Sequence, residues 1–575
     1  MFHQILAPVG GSLTLSALVA VLPLVTLFVL LGAFKTPARW AALAGLIVSL
    51  IVAITVYSMP PGQAISGALE GAATGFFPIF WVAINAIWLY NLTEESGHFA
   101  VLRRAFSTIS DDPRVQAIII AFCFGALLEA LAGGGSPVAI TAVMLIALGF
   151  NPLKAAAVCL VANTSPVAFG ALGLPVTTLA KLTKLPVHDL ATMIGRQTPL
   201  LALFIPFILV AIVDGRRGLR ETWPVAAAAA ISFSITQSLA SYLFPVELVD
   251  ICSALVSTAV TVGFLRLWRV GVSAPLPQTA AAGPGGGSFS VQASRATANI
   301  PVRSSSAAEP AHVVPSSAGG AAALTATADS QTEVLRAFAP YLIVLAVVII
   351  VQIPVINELL SAATMTFAWP GLSIVSASGK AVTATIAKFE WLTAAGTLLL
   401  FSGLITAPVL GIDFGTAARL YAKTLHELRW AIFTVCCIVG IAYVMNLSGQ
   451  TITLGTWAAG AGAFFPLVSP IIGWFGTALT GSDTSANALF GVLQVTTAQK
   501  AGLSQVLLAA ANSAGGVCGK AVSPQNLAIA AVAVKMSGHE GDLFRRVAVW
   551  SVLMVLGMSL LVFLQSTSVL SWMVP

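Results

Sequence analysis

The feature of this sequence that most constrains its fold is a succession of long apolar runs, separated by short segments that carry most of the basic residues. A helix needs roughly 20 apolar residues to cross about 30 Å of hydrocarbon, and most of these runs are close to that length. Only 8% of the residues are charged and 58% are hydrophobic, whereas a soluble domain carries about 25% charged residues. The sequence therefore predicts an all-α polytopic membrane protein that contacts the lipid bilayer. Eleven runs are interpreted as spans: residues 13–34, 40–57, 76–92, 115–132, 199–213, 223–243, 249–268, 338–356, 391–410, 430–445 and 547–569.

Two further apolar segments, residues 129–182 and 452–534, are too long for one crossing and are interrupted by Gly, Pro, Ser and Asn. Residues 272–333 differ from everything around them, because they are rich in Ala, Pro, Gly and Ser and have no apolar periodicity. Such a composition predicts a flexible linker. It divides the chain into an N-terminal membrane half, residues 1–271, and a C-terminal membrane half, residues 334–575, each with one interrupted segment.

The distribution of basic residues predicts the orientation of the chain. Lys and Arg cluster in alternate loops, and cytoplasmic loops are the ones that carry this excess. The rule places the linker in the cytoplasm and both termini outside, with a periplasmic N-terminus. The net charge of +6 is explained in the same way and does not indicate a nucleic-acid partner. The first apolar run has no basic residue before it, so we interpret it as a span and not as a signal peptide.

The two interrupted segments resemble each other. The sequence VANTSPVAFGALGLP in the first aligns with AANSAGGVCGKAVSP in the second, which pairs Asn163 with Asn512. Each segment has an apolar run, a Gly/Ser break, a short apolar return and a second break. Secondary transporters use discontinuous helices from two repeats in this way. The charge pattern predicts two inverted repeats with broken, re-entrant helices. The alternative is that Gly and Ser only permit close helix packing.

Three ionisable residues lie inside the interrupted segments: Glu129, Asp483 and Lys520. A charged side chain within a membrane helix costs about 2.5–3.5 kcal/mol on insertion scales, so each is a candidate functional group. Lys520 is predicted to bind a substrate carboxylate, and its alternative is an interfacial lysine. Glu129 and Asp483 are predicted to carry a coupled proton. The alternatives are a hydrogen bond from the backbone of residues 133–135 to Glu129, and a helix N-cap at Asp483.

Small and polar residues beside these charges are expected to complete the substrate site. They are Asn163, Thr164, Ser165, Gly134, Gly135, Asn512, Ser513 and Ser523. Arg196 has two interpretations, neutralising a carboxylate or ending a helix at an interface. The six histidines show no ligand spacing, so no metal site is predicted, and no P-loop or other cofactor motif is present.

Four stretches resemble the L-lactate permease family, the lactate and glycolate permeases of bacteria: LEALAGGGSPVAI, VANTSPVAFGALG, ALTGSDTSANALFGVLQ and AANSAGGVCGKAVSPQNLAIA. The resemblance runs over nearly the whole chain and is weakest in the linker. It implies proton-coupled uptake of L-lactate, and often of D-lactate and glycolate, across the inner membrane without a cofactor. It also implies a distant relationship to ion transporters in which paired re-entrant hairpins form a moving domain. The family supplies no site residue by residue.

We therefore expect a secondary active transporter that carries a small monocarboxylate together with a proton. The alternative is a sodium-coupled carrier of another small carboxylate, because carbonyl groups of broken helices can coordinate Na⁺. An enzyme is not expected, since the chain has neither an H-E-x-x-H helix nor a histidine pair near a candidate nucleophile. The paired interrupted segments argue against a channel. The sequence does not define an oligomeric state.

Overall fold

The fold is taken from a computed structural model, which describes residues 1–575 except 35, 108, 111, 132, 134, 269–329, 352, 376–384 and 537–538. The predicted linker, residues 272–333, lies outside the described residues apart from positions 330–333. The described parts of the two membrane halves, within Met1–Ser273 and Gln331–Pro575, pack into one unit.

The described residues are mostly helical, as the apolar runs predict. The N-terminal half contains α1 (Leu13–Ala20), α2 (Leu22–Gly32), α3 (Ala38–Thr55), α4 (Pro61–Thr74), α5 (Trp81–Glu95), α6 (His98–Ser107), α7 (Pro113–Gln116), α8 (Gly125–Leu131), α9 (Ser136–Ala147), α10 (Pro152–Ala162), α11 (Gly170–Thr183), α12 (Val187–Ala202), α13 (Ile205–Leu243) and α14 (Val249–Leu267). The C-terminal half contains α15 (Gln331–Val351), α16 (Pro354–Ser361), α17 (Ala395–Val409), α18 (Phe414–Ser448), α19 (Gln450–Ala458), α20 (Phe465–Thr480), α21 (Asp483–Ala501), α22 (Gln505–Gly519), α23 (Pro524–Ala533) and α24 (Glu540–Gln565). Two π-helical segments, Gly75–Phe80 and Ala117–Phe124, join α4 to α5 and α7 to α8.

Within the described residues, ten helical stretches are long and apolar enough to cross a membrane, or eleven if one bent pair is counted as a span. This confirms a polytopic membrane protein. The ten are Leu13–Leu31, Ala38–Thr55, Pro61–Glu95, Pro113–Leu131, Val187–Leu243, Val246–Leu267, Gln331–Val348, Phe414–Ser448, Gln450–Thr480 and Glu540–Gln565.

Three of the predicted spans look different in the structure. Residues 199–213 and 223–243 belong to one helical stretch that is broken at Gly215, whose φ of 61° and ψ of −145° favour glycine. The predicted span at 391–410 contains only α17, which has 15 residues. Residues 391–394 of the predicted span follow a β-strand and form a turn, so the helix begins only at Ala395 and is shorter than the other spans.

Short strands were not predicted from the sequence. Strand β1 (Phe2–His3) pairs in parallel with β3 (Ile374–Val375), and β2 (Met365–Ala368) pairs antiparallel with β4 (Ile386–Phe389). The first pairing brings the N-terminus to the same face of the molecule as the segment between α16 and α17.

The interrupted segments have the same order of helices and breaks. In the first, breaks separate α8 from α9 and α10 from α11; in the second, they separate α20 from α21 and α22 from α23. Helices α10 and α11 meet at a bend of 63°. Helix α9 has 12 residues, about 18 Å at 1.5 Å per residue, which is short for a full crossing. That the two segments are inverted repeats remains a prediction.

Glycines let α20 and α22 touch through their backbones. A Cβ atom added at Gly515 would lie 2.0 Å from the carbonyl oxygen of Pro470, and one at Gly473 would lie 1.9 Å from that of Asn512. No larger side chain fits without moving one helix. Close packing by small residues, which the sequence left as the alternative for the breaks, is therefore present here.

Candidate functional site

The two interrupted segments meet at an ion pair between Lys520 and Glu129, in which the lysine Nζ contacts Oε1 of the glutamate. Lys520 is only 5% exposed and Glu129 only 2%. The interfacial alternative for Lys520 is therefore wrong, because a snorkelling lysine keeps its ammonium in water. Separate roles were predicted for these two residues, and the structure places them in direct contact.

The first segment builds the glutamate side of this pair. Asn163, at the end of α10, donates its amide to Oε2 of Glu129 at 2.9 Å. Gly170 lies directly against the same side chain, since an added Cβ there would be 3.0 Å from Cγ and Oε1 of Glu129. Glu129 thus binds the side chains of Asn163 and Lys520.

The turn beside Glu129 is strained. Ala171 and Leu172 have φ values of 44° and 57°, in the left-handed region that non-glycine residues rarely adopt. Gly173 follows with a φ of 69°, and an added Cβ would be 2.7 Å from Val246. Such conformations persist only where the surroundings hold them, and they cluster at functional sites.

The second segment builds the lysine side. Lys520 begins a short 3₁₀ turn, Lys520–Val522, between α22 and α23. Its carbonyl oxygen accepts a hydrogen bond from Nδ2 of Asn526 at 2.9 Å. Ser523 is buried and caps α23, accepting from the backbone N–H of Asn526 at 3.2 Å. Gly135 lies against Asn526 as well, because an added Cβ would be 2.8 Å from Oδ1. Asn526 therefore contacts both breaks, and it is not among the residues predicted from the sequence.

Asp483 is fully enclosed by polar side chains. Ser513 donates to Oδ2 at 2.5 Å, and Thr477 donates to Oδ1 at 3.4 Å. The N-cap of α21 is Ser482, whose hydroxyl accepts from the N–H of Ser485. The N-cap alternative for Asp483 is therefore wrong. Asp483 also interacts electrostatically with Lys520, so both acids singled out from the sequence act on one lysine.

A chain of buried amides extends from Asp483. Asn487 donates to Oδ2 of Asp483 at 3.4 Å and to Ser513 at 3.1 Å. Its own Oδ1 accepts from Asn512 at 2.9 Å, and Gln494 donates to Asn512 at 3.2 Å. Asn512 and Ser513 were predicted, whereas Asn487 and Gln494 were not. Both missed amides lie on α21, and a search for carboxamides within the second interrupted segment would have found them.

Two predicted hydroxyl groups bind their own helix. Thr164 donates to the carbonyl of Val161 at 2.7 Å, and Ser165 donates to that of Ala162 at 3.0 Å. Both residues are buried at the end of α10. Gly134, the remaining predicted residue, lies outside the described residues.

A third buried acid, Asp250, was missed. It is 1% exposed, and its Oδ1 accepts from Nε2 of Gln237 at 3.0 Å. The same amide reaches the carbonyl of Ser165 at 3.4 Å, and Asp250 interacts electrostatically with Glu129. Asp250 lies in an apolar run, so the criterion that selected Glu129 would have selected it too.

Arg196 has a different function from either predicted one. It lies inside α12 and donates from Nη1 to the carbonyl of Met573 at 2.6 Å. It therefore holds the C-terminal segment against α12, and α12 continues past it to Ala202.

The arrangement places the buried ammonium of Lys520 against the carboxylate of Glu129, with amides and hydroxyls of both interrupted segments nearby. A polytopic helical protein in which broken helices converge on buried charges has the architecture of a membrane transporter.

Comparison with known proteins agrees with this class. A family profile described as L-lactate permease matches residues 16–569. The L-lactate permease of Bacillus subtilis (strain 168) is 38% identical over 593 residues, spanning 100% of this chain and 99% of that protein. The glycolate permease GlcA of Escherichia coli (strain K12) is 39% identical over 554 residues, spanning 94% of each chain. The L-lactate permease of the same strain is 36% identical over 582 residues, spanning 98% of each. The chain belongs to the L-lactate permease family.

Proposed function

We propose that this protein is a secondary active transporter that carries L-lactate, and also D-lactate and glycolate, together with protons across the bacterial inner membrane. Relatives named L-lactate permease and glycolate permease support the substrate class. The observation that carries the coupling mechanism is the buried pair between Lys520 and Glu129.

In the empty transporter the pair is neutral as a whole. Lys520 and Glu129 compensate each other, which matters because an uncompensated charge in a buried position costs several kcal/mol. Asn163 satisfies the second glutamate oxygen. The empty site can therefore change its exposure from one side to the other without moving net charge through the membrane.

A substrate carboxylate competes with Glu129 for Lys520. When the substrate binds the ammonium, Glu129 loses its cation, and an unpaired buried carboxylate is unfavourable. Taking up a proton removes that charge. The loaded site then contains one ammonium, one substrate carboxylate and one neutral glutamic acid, and it is neutral again.

Coupling follows from the charge count of the two states. Substrate without a proton leaves one excess negative charge, and a proton without substrate leaves one excess positive charge. Both states are disfavoured in a low-dielectric surrounding, so substrate and proton move together. Transport of one anion with one proton is electroneutral and follows the pH gradient, not the membrane potential.

The second acid and the amides have supporting roles in this proposal. Asp483 acts electrostatically on Lys520, and we keep it as a second candidate, beside Glu129, for the group that carries the one coupled proton. The amides of Asn163 and Asn512, with the hydroxyl of Ser513, are proposed to bind the remaining substrate oxygens. Thr164, Ser165 and Ser523 are proposed to hold the broken backbone around the substrate, because their hydroxyls bind backbone groups.

The orientation predicted from the sequence is kept as part of the proposal, with a periplasmic N-terminus and a cytoplasmic linker. Two contacts between basic segments support it. Arg39 lies over the ring of Trp430 at 4.5 Å, and Arg114 pairs with Asp214 and Glu221. The clusters near Arg39 and Arg429 therefore share one face, as do those near Arg114 and Arg217.

The test is uptake of radiolabelled L-lactate into proteoliposomes that contain the full-length protein. We expect accumulation under an inward proton gradient, with no requirement for sodium and no response to an imposed membrane potential. Accumulation that follows a sodium gradient and ignores pH would replace the proton proposal with the sodium-coupled alternative. No saturable transport of lactate or glycolate would overturn the substrate assignment.

Two variants test the coupling mechanism itself. Glu129→Gln is expected to abolish uphill uptake while retaining exchange of internal for external lactate, because the empty variant carries an uncompensated lysine and cannot return. Lys520→Ala is expected to lose both activities. The double variant Glu129→Gln/Lys520→Gln is the folding control, since removing both partners of a buried pair is often tolerated. A Glu129→Gln protein that still accumulates lactate against its gradient contradicts the mechanism.

A further inference from the structure

A cavity of about 480 Å³ lies away from the buried ion pair. Its walls come from the junction of α4 and α5, the end of α11, the helix α18 and the hairpin of β2 and β4. Its charged lining residues are Glu70, Lys181, Lys184 and Lys388, and aromatic rings form much of the remaining surface.

Three lysines and two glutamates lie in and beside this cavity, which leaves an excess of one positive charge. Three of its four charged side chains are lysines. Lys181 donates to the carbonyl of Lys388 at 3.2 Å and lies 4.0 Å from Glu390, while Lys388 binds Glu390 at 2.5 Å. Lys184 interacts electrostatically with Glu70. The cavity can therefore attract and hold a small anion.

Glu70 supplies an unused hydrogen-bonding atom. The residue is 2% exposed, lines the cavity, and its Oε2 is buried without a hydrogen-bond partner among the described residues. Buried polar atoms of this kind are rare, and each calls for an explanation. A ligand hydroxyl that donates to Oε2 would satisfy it.

The backbone around the cavity is irregular on two sides. Phe77 has a φ of −128° and a ψ of 126°, so the helical stretch from α4 to α5 is broken where it meets the cavity. Irregular backbone at membrane depth is tolerated where it lines a cavity or is buried in protein. Lys184 ends α11 with a φ of 61°, a position that favours glycine and here holds an ammonium at the cavity.

We propose that this cavity is a second binding site, for a small 2-hydroxymonocarboxylate on its way to the buried pair. The carboxylate would bind Lys184 and Lys181, the 2-hydroxyl would donate to Oε2 of Glu70, and the aromatic wall would contact the carbon chain. The choice of ligand class rests on the proposed function. The presence of an anion site with one hydroxyl acceptor rests on the cavity alone.

The position of the cavity suits an access site. Helix α11 starts at Gly170, against Glu129, and reaches the cavity at Lys181. Its regular part follows the left-handed turn at Ala171–Gly173 and leads from the buried pair toward the cavity. The hairpin over the cavity lies on the face of the N-terminus, because β1 pairs with β3 and Ser66 donates to the carbonyl of Pro370 in the same region. In the proposed orientation this is the periplasmic face.

The experiment uses Ala387→Cys, which places a thiol in the cavity wall, in full-length protein reconstituted in lipid. Its reaction rate is measured with an anionic and a cationic methanethiosulfonate reagent. We compare the ratio of the anionic rate to the cationic rate at Ala387→Cys with the same ratio at Ser361→Cys, an exposed site on α16. We expect the ratio in the cavity to be at least about threefold higher, because the lysines raise the local anion concentration. Adding Lys184→Gly and Lys181→Gln to the Ala387→Cys protein should remove this preference for the anionic reagent. Glycine suits the φ at position 184, so that variant is expected to fold.

Ligand binding is read from protection of the introduced thiol. Sodium L-lactate and sodium glycolate should slow labelling in a saturable manner, relative to equal sodium chloride, and sodium propionate should do so at least about fivefold less effectively. Glu70→Ala, which removes the oxygen that would accept from the 2-hydroxyl, should narrow the difference in protection between lactate and propionate. The site is overturned if no carboxylate protects, or if protection is unchanged in the Lys181/Lys184 variant.

Repeating the protection assay with Lys520→Ala separates this site from the buried pair. Protection that persists in that transport-deficient variant supports an independent site. Protection that disappears with Lys520 overturns it, because the effect would then come from the buried pair. If wild-type protein transports lactate but its cavity thiol is not protected, this proposal fails and the proposed function stands. If protection occurs without any transport, the proposed function fails and the site stands.

Discussion

Asn163 donates its side-chain amide to Oε2 of Glu129 at 2.9 Å. The contact joins the end of α10 to the end of α8, and it acts on the same carboxyl group that binds Lys520. A carboxylate that accepts from an amide and pairs with an ammonium is held in one orientation. Asn163 therefore fixes where Glu129 can meet the lysine, and any movement of the α10 break changes the ion pair.

Replacing Asn163 tests this relationship. We expect Asn163→Ala to lower kcat/KM for L-lactate uptake about 10- to 100-fold, since a hydrogen bond to a charged group contributes about 1.5–3 kcal/mol. Uptake into proteoliposomes measures the effect. Asn151→Ala is the matched control, because Asn151 caps the other end of α10 and is exposed. It should cost about 1 kcal/mol of stability and leave uptake close to wild type. Equal losses in both variants would contradict a specific role for Asn163.

The packing of α22 against Asp483 gives a second prediction. A Cβ atom at Gly516 would lie 1.9 Å from Oδ1 of Asp483 and 2.8 Å from Oγ1 of Thr477. Gly516→Ala must therefore displace the acid or separate the helices. We expect a loss of about 1–3 kcal/mol in stability, as for other overpacked sites, and a clear fall in uptake. Thermal unfolding in detergent and proteoliposome uptake measure the two effects.

Gly557, inside α24, is the control for this substitution. An added Cβ there meets no atom within 4 Å, so Gly557→Ala should be neutral or stabilising by about 0.4–1 kcal/mol. An unchanged Gly516→Ala protein would mean that Asp483 has room to move, and the enclosed site described above would need revision.

Much of the fold follows directly from the sequence. Apolar length locates the spans because a helix is the structure that satisfies its own backbone in lipid. The same rule marks Glu129, Asp483 and Lys520, since charges within spans are rare. The breaks at positions 163 and 481 are also visible as Asn, Gly and Ser in apolar surroundings.

The pairing of these charges could not be predicted. Glu129 and Lys520 are far apart in sequence, and hydropathy treats each as an isolated penalty. Their contact depends on how the two interrupted segments dock, which no local pattern specifies. The strands at 365–389 were missed for a different reason, because short apolar runs fit a strand as well as a helix.

Asp250 offers a test of a residue that the sequence analysis passed over. Its Oδ1 accepts from Gln237, and that amide also reaches the break after α10. Asp250→Asn retains an oxygen that can accept this bond, so we expect uptake within about threefold of wild type. Asp250→Leu removes the shorter of the two hydrogen bonds that the Gln237 amide donates. Loss of a buried hydrogen-bond partner costs about 1–3 kcal/mol, so we expect this variant to lower both thermal stability and uptake. If Asp250→Asn abolishes proton-driven uptake as completely as Asp250→Leu, the carboxyl group itself takes part in coupling.

Arg114 should be important for stability. Its guanidinium is 3% exposed and contacts Asp112 at 2.7 Å, Asp214 at 3.2 Å and Glu221 at 2.5 Å. The three carboxylates that it contacts are 13%, 21% and 37% exposed, so Arg114→Ala should cost less than the about 3–5 kcal/mol of breaking a fully buried pair and more than the loss of an exposed pair. It should therefore lower the midpoint of thermal unfolding in detergent. Arg217→Ala is the matched control, because its contact to Glu221 is exposed and exposed pairs contribute about 0–1 kcal/mol. Similar midpoints for the two variants would show that Arg114 is not essential to this junction.

The proposed orientation predicts which exposed residues a membrane-impermeant thiol reagent reaches in intact cells. Ser361 is exposed at the end of α16, on the face of the N-terminus. Lys423 is 65% exposed on α18, in the basic segment that leads to Trp430. Ser361→Cys should therefore be labelled in intact cells, whereas Lys423→Cys should be labelled only after the cells are opened. The unsubstituted protein gives the background from its native cysteines. The reverse pattern would invert the topology and move the lysine-lined cavity to the cytoplasmic side, where it would serve substrate exit in place of entry.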